Sequence, residues 1–392
     1  MKNIYLDYAA TTPVDPRVAK AMTPFLSEKF GNTMSLHSFG QEAKIALEES
    51  RQTVADLINA KPNEIIFTSS ATESNNLALK GIAMSVPKGL PKNGRKVHIV
   101  ISSIEHHCID ETAKWLAKGL EVTKIPVDKF GKINPEDIKN AIRPETILVS
   151  IIHASNEIGT IQDIAEIGKI CRERKVYFHT DASQSFGKIA IDVKKMNIDL
   201  LTASSHKIYG PKGAGLLYIR EGIRVAPLLH GGGQENGVRS STVNVPAIVG
   251  FAKAVEIYKK EAKKENQKLT KLRDKLIKGL LKIDGTHLNG DSKNRLPNNV
   301  NVRFDFVEGE SLVIQLDMEG IACSTGSACS STTLEPSHVL LATGLRPEQA
   351  HGSLRITLGR WTTEKDIDYL LKVLPKIVNK IRAISPFKAL GK

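Results

Sequence analysis

Cysteine, aromatic residues and long apolar runs are all scarce in this chain. It has four cysteines in 392 residues, and 5% of its residues are aromatic. So few cysteines exclude a disulfide scaffold and favour a reducing compartment, which we expect to be the cytoplasm. No apolar run approaches the roughly 18 residues that a membrane-spanning helix needs, so we expect no membrane contact. The opening MKNIYLD lacks the apolar stretch of a secretory signal.

The composition itself is that of a globular enzyme. Hydrophobic residues make up 41% of the chain and charged residues 25%. These proportions exclude a disordered chain and a collagen-like fibre. A length of 392 residues suits one large and one small domain with a sizeable core.

Basic charge is concentrated in one segment. The chain has 55 Lys+Arg and 42 Asp+Glu, which gives +13, and residues 253–282 contribute eleven basic and four acidic residues to it. Leucines at 269, 272, 276 and 280 recur at helical spacing, so we predict a long amphipathic helix with its charges on the solvated face. Such a face could also bind tRNA, another nucleic acid or an acidic protein. No aromatic residues alternate with the charges, which favours a plain surface helix.

Short apolar runs alternate with helical stretches between residues 60 and 220. This pattern predicts an α/β fold in which a mainly parallel sheet is flanked by helices. The predicted strands are 64–68, 97–101, 146–151, 176–179, 199–202 and 215–219.

The pattern changes after the basic helix. Residues 299–304 and 353–358 alternate by twos, and a helix is predicted over 363–385. We therefore predict three parts: an N-terminal segment at 1–14 that packs with the small domain, a large domain at 15–256, and a small α+β domain at 257–392.

Ligands of open α/β sheets bind beyond the carboxyl ends of the strands, so the residues that follow each apolar run are candidates. Ala71 and Thr72 begin a helix behind Ser70, whose spacing to Glu73 fits a capping box, and such a helix start can bind phosphate. His106 follows the next run, in the sequence HHC at 106–108. These residues lack a second ligand pair at a recognised spacing, so we expect no resident metal.

Two further strand ends carry a carboxylate and a lysine. Asp181 follows residues 176–179 and needs a cationic partner to stay ionised when buried. Lys207 follows residues 199–202, between Ser, His and a Gly-Pro turn, and is a candidate Schiff-base lysine. Pyridoxal phosphate (PLP) needs a lysine, an acid for its ring nitrogen, a ring to stack on and an anion site. Lys207, Asp181, His106 and the helix start at Ala71 and Thr72 supply them.

The same motifs resemble those of a known family. The chain is similar to the cysteine desulfurases of the NifS/IscS type, which are fold-type I PLP enzymes, over almost its whole length. The resemblance rests on ATES at 71–74, NEIG at 156–159, SSHK at 204–207 and STGSAC at 324–329. It implies a seven-stranded sheet in the large domain, PLP as the cofactor and a homodimer.

The resemblance also implies roles for particular residues. Lys207 is implied to bind PLP covalently, Asp181 to hold the ring nitrogen, and His106 to stack on the ring and move protons. Asn156 and Arg355 are implied to hold the substrate carboxylate. The residues implied to contact the cofactor are Ala71, Thr72, His106, Asn156, Asp181, Gln184, Ser204, His206, Lys207 and, from the second subunit, Thr242.

Cys329 is implied to receive the sulfur. It lies among Ser, Thr, Gly and Ala in residues 324–333, whereas a buried structural cysteine would need apolar neighbours. The implied reaction converts L-cysteine to L-alanine through a ketimine of PLP and a persulfide on Cys329. The sulfur would pass to an iron–sulfur scaffold or a thiolation enzyme, and Cys329 could also ligate a transferred cluster. A selenocysteine lyase, an aminotransferase and a basic tRNA-associated protein are the alternatives.

Cys323 departs from the family pattern, in which this position is apolar or small. We interpret it as a small buried hydrophobic residue. The alternative is a partner that forms a disulfide or polysulfide with Cys329.

Overall fold

The computed structural model describes residues 3–87, 95–325 and 335–385. Within these ranges the chain forms twelve α-helices and twelve β-strands. The helices are α1 (Pro16–Met22), α2 (Pro24–Ser27), α3 (Ser38–Leu57), α4 (Ala71–Ser85), α5 (His107–Leu116), α6 (Pro135–Ala141), α7 (Ile164–Glu173), α8 (Val245–Leu280), α9 (Gly309–Met318), α10 (His338–Ala342), α11 (Pro347–His351) and α12 (Glu364–Ile384). The strands are β1 (Ile4–Tyr5), β2 (Ile65–Thr68), β3 (His98–Ser102), β4 (Glu121–Ile125), β5 (Thr146–Ser150), β6 (Tyr177–Asp181), β7 (Leu200–Ser204), β8 (Gly215–Ile219), β9 (Thr286–Leu288), β10 (Asn299–Phe304), β11 (Ile321–Ala322) and β12 (Ser353–Thr357). Among the described helices, none is both long and apolar enough to cross a membrane.

The central sheet has seven strands in the order β2-β8-β7-β6-β5-β3-β4. Strand β8 runs antiparallel to its neighbours β2 and β7, and the remaining pairs are parallel. The predicted fold class is therefore confirmed. Sequence periodicity missed the edge strand β4, because its Glu121 and Lys124 are exposed and the run EVTKI has no apolar block.

Two hydrophobic cores lie on either side of the middle of α8. The larger core packs the central sheet against its helices and includes Phe178, Leu216 and Phe251. The smaller core packs α8, α9 and α12 against the antiparallel sheet β12-β10-β9. The predicted basic amphipathic helix is confirmed, since Leu269, Leu272, Leu276 and Leu280 are buried in the smaller core. Two cores are consistent with the predicted domains, whose boundary at residue 257 stays a prediction.

The N-terminal segment connects the small sheet to the cavity described below. Strand β1 pairs with β11, and the Thr357 N–H donates to the Leu6 carbonyl at 2.7 Å. Leu6 belongs to the smaller core, whereas Tyr8 belongs to the larger one. The main chain at Ala9 and Ala10 is thereby held at the junction of the two cores.

Candidate active site

The carboxyl ends of β3, β5, β6 and β7 open into one cavity of about 250 Å³. Ten of the residues predicted from the sequence line it together. They are Ala71, Thr72, His106, Asn156, Asp181, Gln184, Ser204, His206, Lys207 and Arg355.

Lys207 enters this cavity from a short 3₁₀ turn, Ser205–Lys207, which directly follows β7. Its Nζ donates to the Ala9 carbonyl at 2.6 Å and to the Ala10 carbonyl at 2.7 Å. Gln184 donates to the Ala9 carbonyl as well, at 3.0 Å. The N-terminal segment therefore orients the amine that we predict to react.

Asp181 is the last residue of β6 and is 4% exposed. Its carboxylate accepts hydrogen bonds from Asn75 Nδ2 at 2.7 Å and from the Ser183 N–H at 2.8 Å. Burial lowers the pKa of His179 on the same strand to about 4, so this imidazole is neutral. Among the described residues, the hydrogen-bond donors to this carboxylate are Asn75 and Ser183, which are neutral. A protonated ring nitrogen in the cavity would add a cationic partner, so the site fits PLP.

The helix α4 starts at the cavity, and its first turn leaves backbone N–H groups for a phosphate. Half of the predicted capping box forms, since Ser70 Oγ accepts from the Glu73 N–H at 3.2 Å. The other half was predicted wrongly. The Glu73 carboxylate accepts from the Ser69 N–H at 2.8 Å and pairs with Arg239 at 2.7 Å, because the ion pair draws it away from the helix start.

His206 lies beside this helix start. Burial, followed by the charge of Lys207, lowers the pKa of its imidazole to about 3. Its Nδ1 contacts Thr11 Oγ1 at 3.0 Å, which fixes the ring. A fixed neutral imidazole can donate one hydrogen bond to a phosphate oxygen.

Arg355 projects from β12 and is 2% exposed, so it is not part of a surface ion pair. Its Nη2 pairs with Asp7 at 2.9 Å and its Nη1 donates to the Asn156 carbonyl at 3.4 Å. The Nε–H is buried and has no hydrogen-bond partner among the described residues. An arginine with an unused donor that faces a cavity suits a carboxylate ligand.

One predicted residue within the described ranges, Thr242, does not line this cavity. Thr242 lines a separate groove with Ser69 and Arg239. Its predicted role, a contact with the cofactor bound in the second subunit, stays a prediction. Cys329 lies outside the described residues. The chain that leads towards it pairs with β12, since Ser324 and Arg355 exchange main-chain hydrogen bonds of 3.2 and 2.7 Å.

Sequence reasoning missed several residues of the site, among them Ser183, which donates to Asp181. Asn75 follows Ala71 by one helical turn, and this spacing could have revealed it. Cys108 was considered only as a metal ligand, yet it lines the cavity. Ala9 and Ala10 act through main-chain carbonyls, which leave no sequence signal. No group of three or more His, Cys, Asp or Glu in the described part of the chain could hold a metal ion.

Residues 4–370 match the aminotransferase class-V family. The match spans both cores and every described residue of the cavity. The chain therefore belongs to the class-V aminotransferase family, and PLP is the cofactor that this family uses.

The chain's relatives within this family are cysteine desulfurases. It is 52% identical over 389 residues to the cysteine desulfurase IscS of Dictyoglomus turgidum. The aligned residues cover 99% of this chain and 97% of the relative. A solved structure described as a NifS-like protein is 40% identical, with a TM-score of 0.89 and coverage of 97% of this chain and 100% of that one. The protein in the solved structure "SspA in complex with cysteine" is 39% identical in sequence, with a TM-score of 0.81. The match covers 92% of this chain and 100% of that one. The resemblance to the NifS/IscS type is confirmed.

Proposed function

We propose that the chain is a PLP-dependent cysteine desulfurase that converts L-cysteine to L-alanine and transfers the sulfur to Cys329. The observation that supports this most is the cavity in which Lys207, Asp181 and Arg355 meet at the start of α4. A lysine, a buried carboxylate, an anion site and a carboxylate-binding arginine together suit an amino-acid substrate on PLP.

Each cofactor residue has a separate task in this proposal. Lys207 would hold the cofactor through its Nζ. When bound, PLP supplies an electron sink for the bonds at the substrate's α-carbon. Asp181 keeps a proton on the ring nitrogen, and its hydrogen bonds from Asn75 and Ser183 hold it in place.

The substrate is oriented by its carboxylate. Arg355 and Asn156 hold this group, which places the side chain of cysteine towards the segment after Ser324. The thiolate of Cys329 attacks the substrate sulfur, so that an S–S bond forms and the C–S bond breaks. The carbon fragment keeps the bonding electrons, takes up protons and leaves as alanine. The solved relative SspA, in complex with cysteine, supports the substrate class.

The active form is a homodimer in which Thr242 completes the partner's phosphate site. Six large apolar side chains between residues 26 and 45 are exposed, and they support a second copy as the partner. They are Leu26, Phe30, Met34, Leu36, Phe39 and Ile45. In this proposal the sulfur acceptor is an iron–sulfur scaffold or a thiolation enzyme in the cytoplasm.

The first experiment compares the purified protein with the Cys329→Ala variant. We expect a yellow holoenzyme that forms alanine from L-cysteine at a rate matched by sulfide release in the presence of a reductant. The Cys329→Ala variant should keep the cofactor spectrum and lose alanine formation. A protein that binds no PLP, or a variant that still desulfurates cysteine, would contradict the proposal. Selenocysteine, used as a second substrate, distinguishes the desulfurase from a selenocysteine lyase. A lyase would still form alanine from selenocysteine in the Cys329→Ala variant.

A further inference from the structure

Cys108 is a cavity residue to which the proposed reaction gives no task. It is the second residue of α5, and its Sγ lies 3.0 Å from His106 Nδ1 and 3.1 Å from Asn75 Nδ2. Burial raises the pKa of this thiol to about 12. The thiol therefore keeps its proton at neutral pH and can donate a hydrogen bond.

The backbone decides which nitrogen of His106 carries the proton. His106 is the N-cap of α5, and the Cys108 N–H donates to its Nδ1 at 3.2 Å. An amide N–H can only donate, so Nδ1 must accept and cannot carry a proton itself. The neutral ring therefore has its proton on Nε2, and the Cys108 thiol is a second donor to Nδ1.

Asn75 connects this pair to the acid of the cofactor site. Its Nδ2 group donates both to Asp181 Oδ2 at 2.7 Å and to Cys108 Sγ at 3.1 Å. Asn75 is fully buried, so these donors do not compete with water. The sulfur accepts from Asn75 on one side and donates to His106 on the other.

We propose that Cys108 is a positioning residue, whose thiol holds His106 as a neutral imidazole with its proton on Nε2. In this state His106 stacks on the cofactor and donates a hydrogen bond, and it does not act as a base through Nδ1. The inference rests on the proposed function for the identity of the cofactor, whereas the state of the ring follows from the chain alone.

The charges around His106 do not determine this state by themselves. Burial lowers the pKa of His106. Of its titratable neighbours, one favours protonation of the ring and three oppose it. Asp181 at the end of β6 favours protonation, and the opposing groups are Lys207 after β7, His107 on α5 and His338 on α10. A protonated Nδ1 would face the Cys108 N–H, and the Cys108 thiol would lose its acceptor on the ring, so protonation at Nδ1 costs these two hydrogen bonds.

The test uses the holoenzyme with Cys108→Ala and Cys108→Ser, since serine restores a donor at the same position. Cys171→Ala is the matched control, because Cys171 is a buried free thiol in the larger core, away from the cavity. The pH dependence of kcat/KM for cysteine is measured for all four proteins. We expect the acidic limb of the Cys108→Ala profile to lie about one pH unit higher than that of the wild type. Cys108→Ser and Cys171→Ala should keep the wild-type profile.

A second readout does not require turnover. Nitrogen-15 NMR of histidine-labelled wild-type holoenzyme, with His106 assigned through His106→Gln, reports the protonation of each ring nitrogen. We expect an unprotonated Nδ1 and a protonated Nε2 at neutral pH. A proton on Nδ1, or a Cys108→Ala profile identical to that of Cys171→Ala, would overturn the inference. A failure of the desulfurase proposal would instead appear as absent alanine formation with the ring state unchanged.

Discussion

Lys207 illustrates how a reactive side chain is oriented by the main chain. Its amine donates to the carbonyls of Ala9 and Ala10, which are nearly two hundred positions away in the sequence. A carbonyl oxygen accepts from an amine and from an ammonium group alike. These contacts can therefore hold the lysine in both protonation states that a Schiff-base residue passes through.

Replacing Asp181 tests whether its charge is needed. Asp181→Asn keeps the size of the side chain but removes the negative charge opposite the cofactor's ring nitrogen. We expect kcat for alanine formation to fall by about a hundredfold or more, in line with the loss of one preorganised electrostatic group. Steady-state assays at saturating PLP measure this change, and the visible spectrum reports whether the cofactor is still bound.

Ser183→Ala is the matched control for that variant. The Ser183 hydroxyl donates to the Asp181 carboxylate at 2.5 Å. The control therefore removes one hydrogen bond and leaves the negative charge of Asp181. We expect kcat to fall less than in Asp181→Asn, since the negative charge and the hydrogen bonds from Asn75 and from the main-chain N–H of residue 183 remain. Equal losses in the two variants would show that geometry matters and charge does not.

Replacing Cys323 tests whether this residue is a small buried hydrophobic residue or a sulfur-transfer partner of Cys329. It is 8% exposed, packs in the smaller core, and burial raises the pKa of its thiol to about 12. A buried protonated thiol is a poor nucleophile, so we expect Cys323→Ala to leave turnover unchanged. The free energy of unfolding should fall by about 1 kcal/mol because a small apolar group is lost. Persulfide formation followed by mass spectrometry checks the first expectation, and a loss of transfer would favour a polysulfide relay.

At the scale of elements, alternation and apolar runs predicted the structure wherever burial determines it. Strands β5 and β8 are buried at nearly every position and were predicted within one residue. Strand β4 is an edge strand with exposed charges, so its sequence carries little burial signal. The Glu73 carboxylate was misplaced because its ion pair with Arg239 joins residues that are far apart in sequence. Long-range partners of this kind leave no local pattern.

Glu105 connects the ends of two neighbouring strands. Its Oε1 accepts from Ser102 Oγ at 2.6 Å, at the end of β3, and from the Ile152 N–H at 2.8 Å, just beyond β5. Its Oε2 is buried, and no residue in the described part of the chain forms a hydrogen bond with it. Burial raises the pKa of this carboxyl from 4.5 to about 8, so the native protein holds its proton at neutral pH.

This raised pKa predicts a pH dependence of stability. Between pH 4.5 and about 8 the native state binds more protons at Glu105 than the unfolded state does. The stabilisation is therefore fully present below pH 4.5 and is lost as the pH rises through about 8. We expect Glu105→Gln, which cannot ionise, to lose less stability than the wild type between about pH 6 and pH 9, by on the order of a few kcal/mol.

Denaturant unfolding at both pH values measures this difference. Glu111→Gln serves as the control, because Glu111 is an exposed residue on α5 that pairs with the exposed Lys114. It should follow the wild-type pH dependence. A Glu105→Gln variant that loses as much stability as the wild type would place the titration elsewhere.

At the scale of the whole molecule, the described surface has one dense apolar segment. Leu36 is 92% exposed and Phe30 is 66% exposed, and both lie among the six apolar side chains of residues 26–45. Beside this segment a groove includes Met34 and Val243, and Val243 directly follows Thr242. Contiguous exposed apolar surface marks an interaction site. A two-fold dimer through this surface would bring Thr242 of each protomer towards its partner.

Mixing inactive variants tests whether Thr242 acts across such a dimer. Lys207→Ala disables a protomer's own site, and Thr242→Ala would weaken the site of its partner. In a mixed dimer of the two, one site carries both defects and the other carries none. Random reassortment should therefore restore about a quarter of the wild-type activity at limiting PLP. Alanine formation after dissociation and mixing measures the recovery.

A second mixture separates this outcome from unspecific recovery. Lys207→Ala and Asp181→Asn both disable the site of their own protomer, since the two residues line one cavity. Their mixed dimer contains no intact site, so we expect no recovery whichever way the subunits are arranged. Recovery with Thr242→Ala but not with Asp181→Asn would therefore establish a shared site. If neither mixture recovers although light scattering shows mixed dimers, Thr242 acts on the site of its own protomer and the two subunits do not share a site.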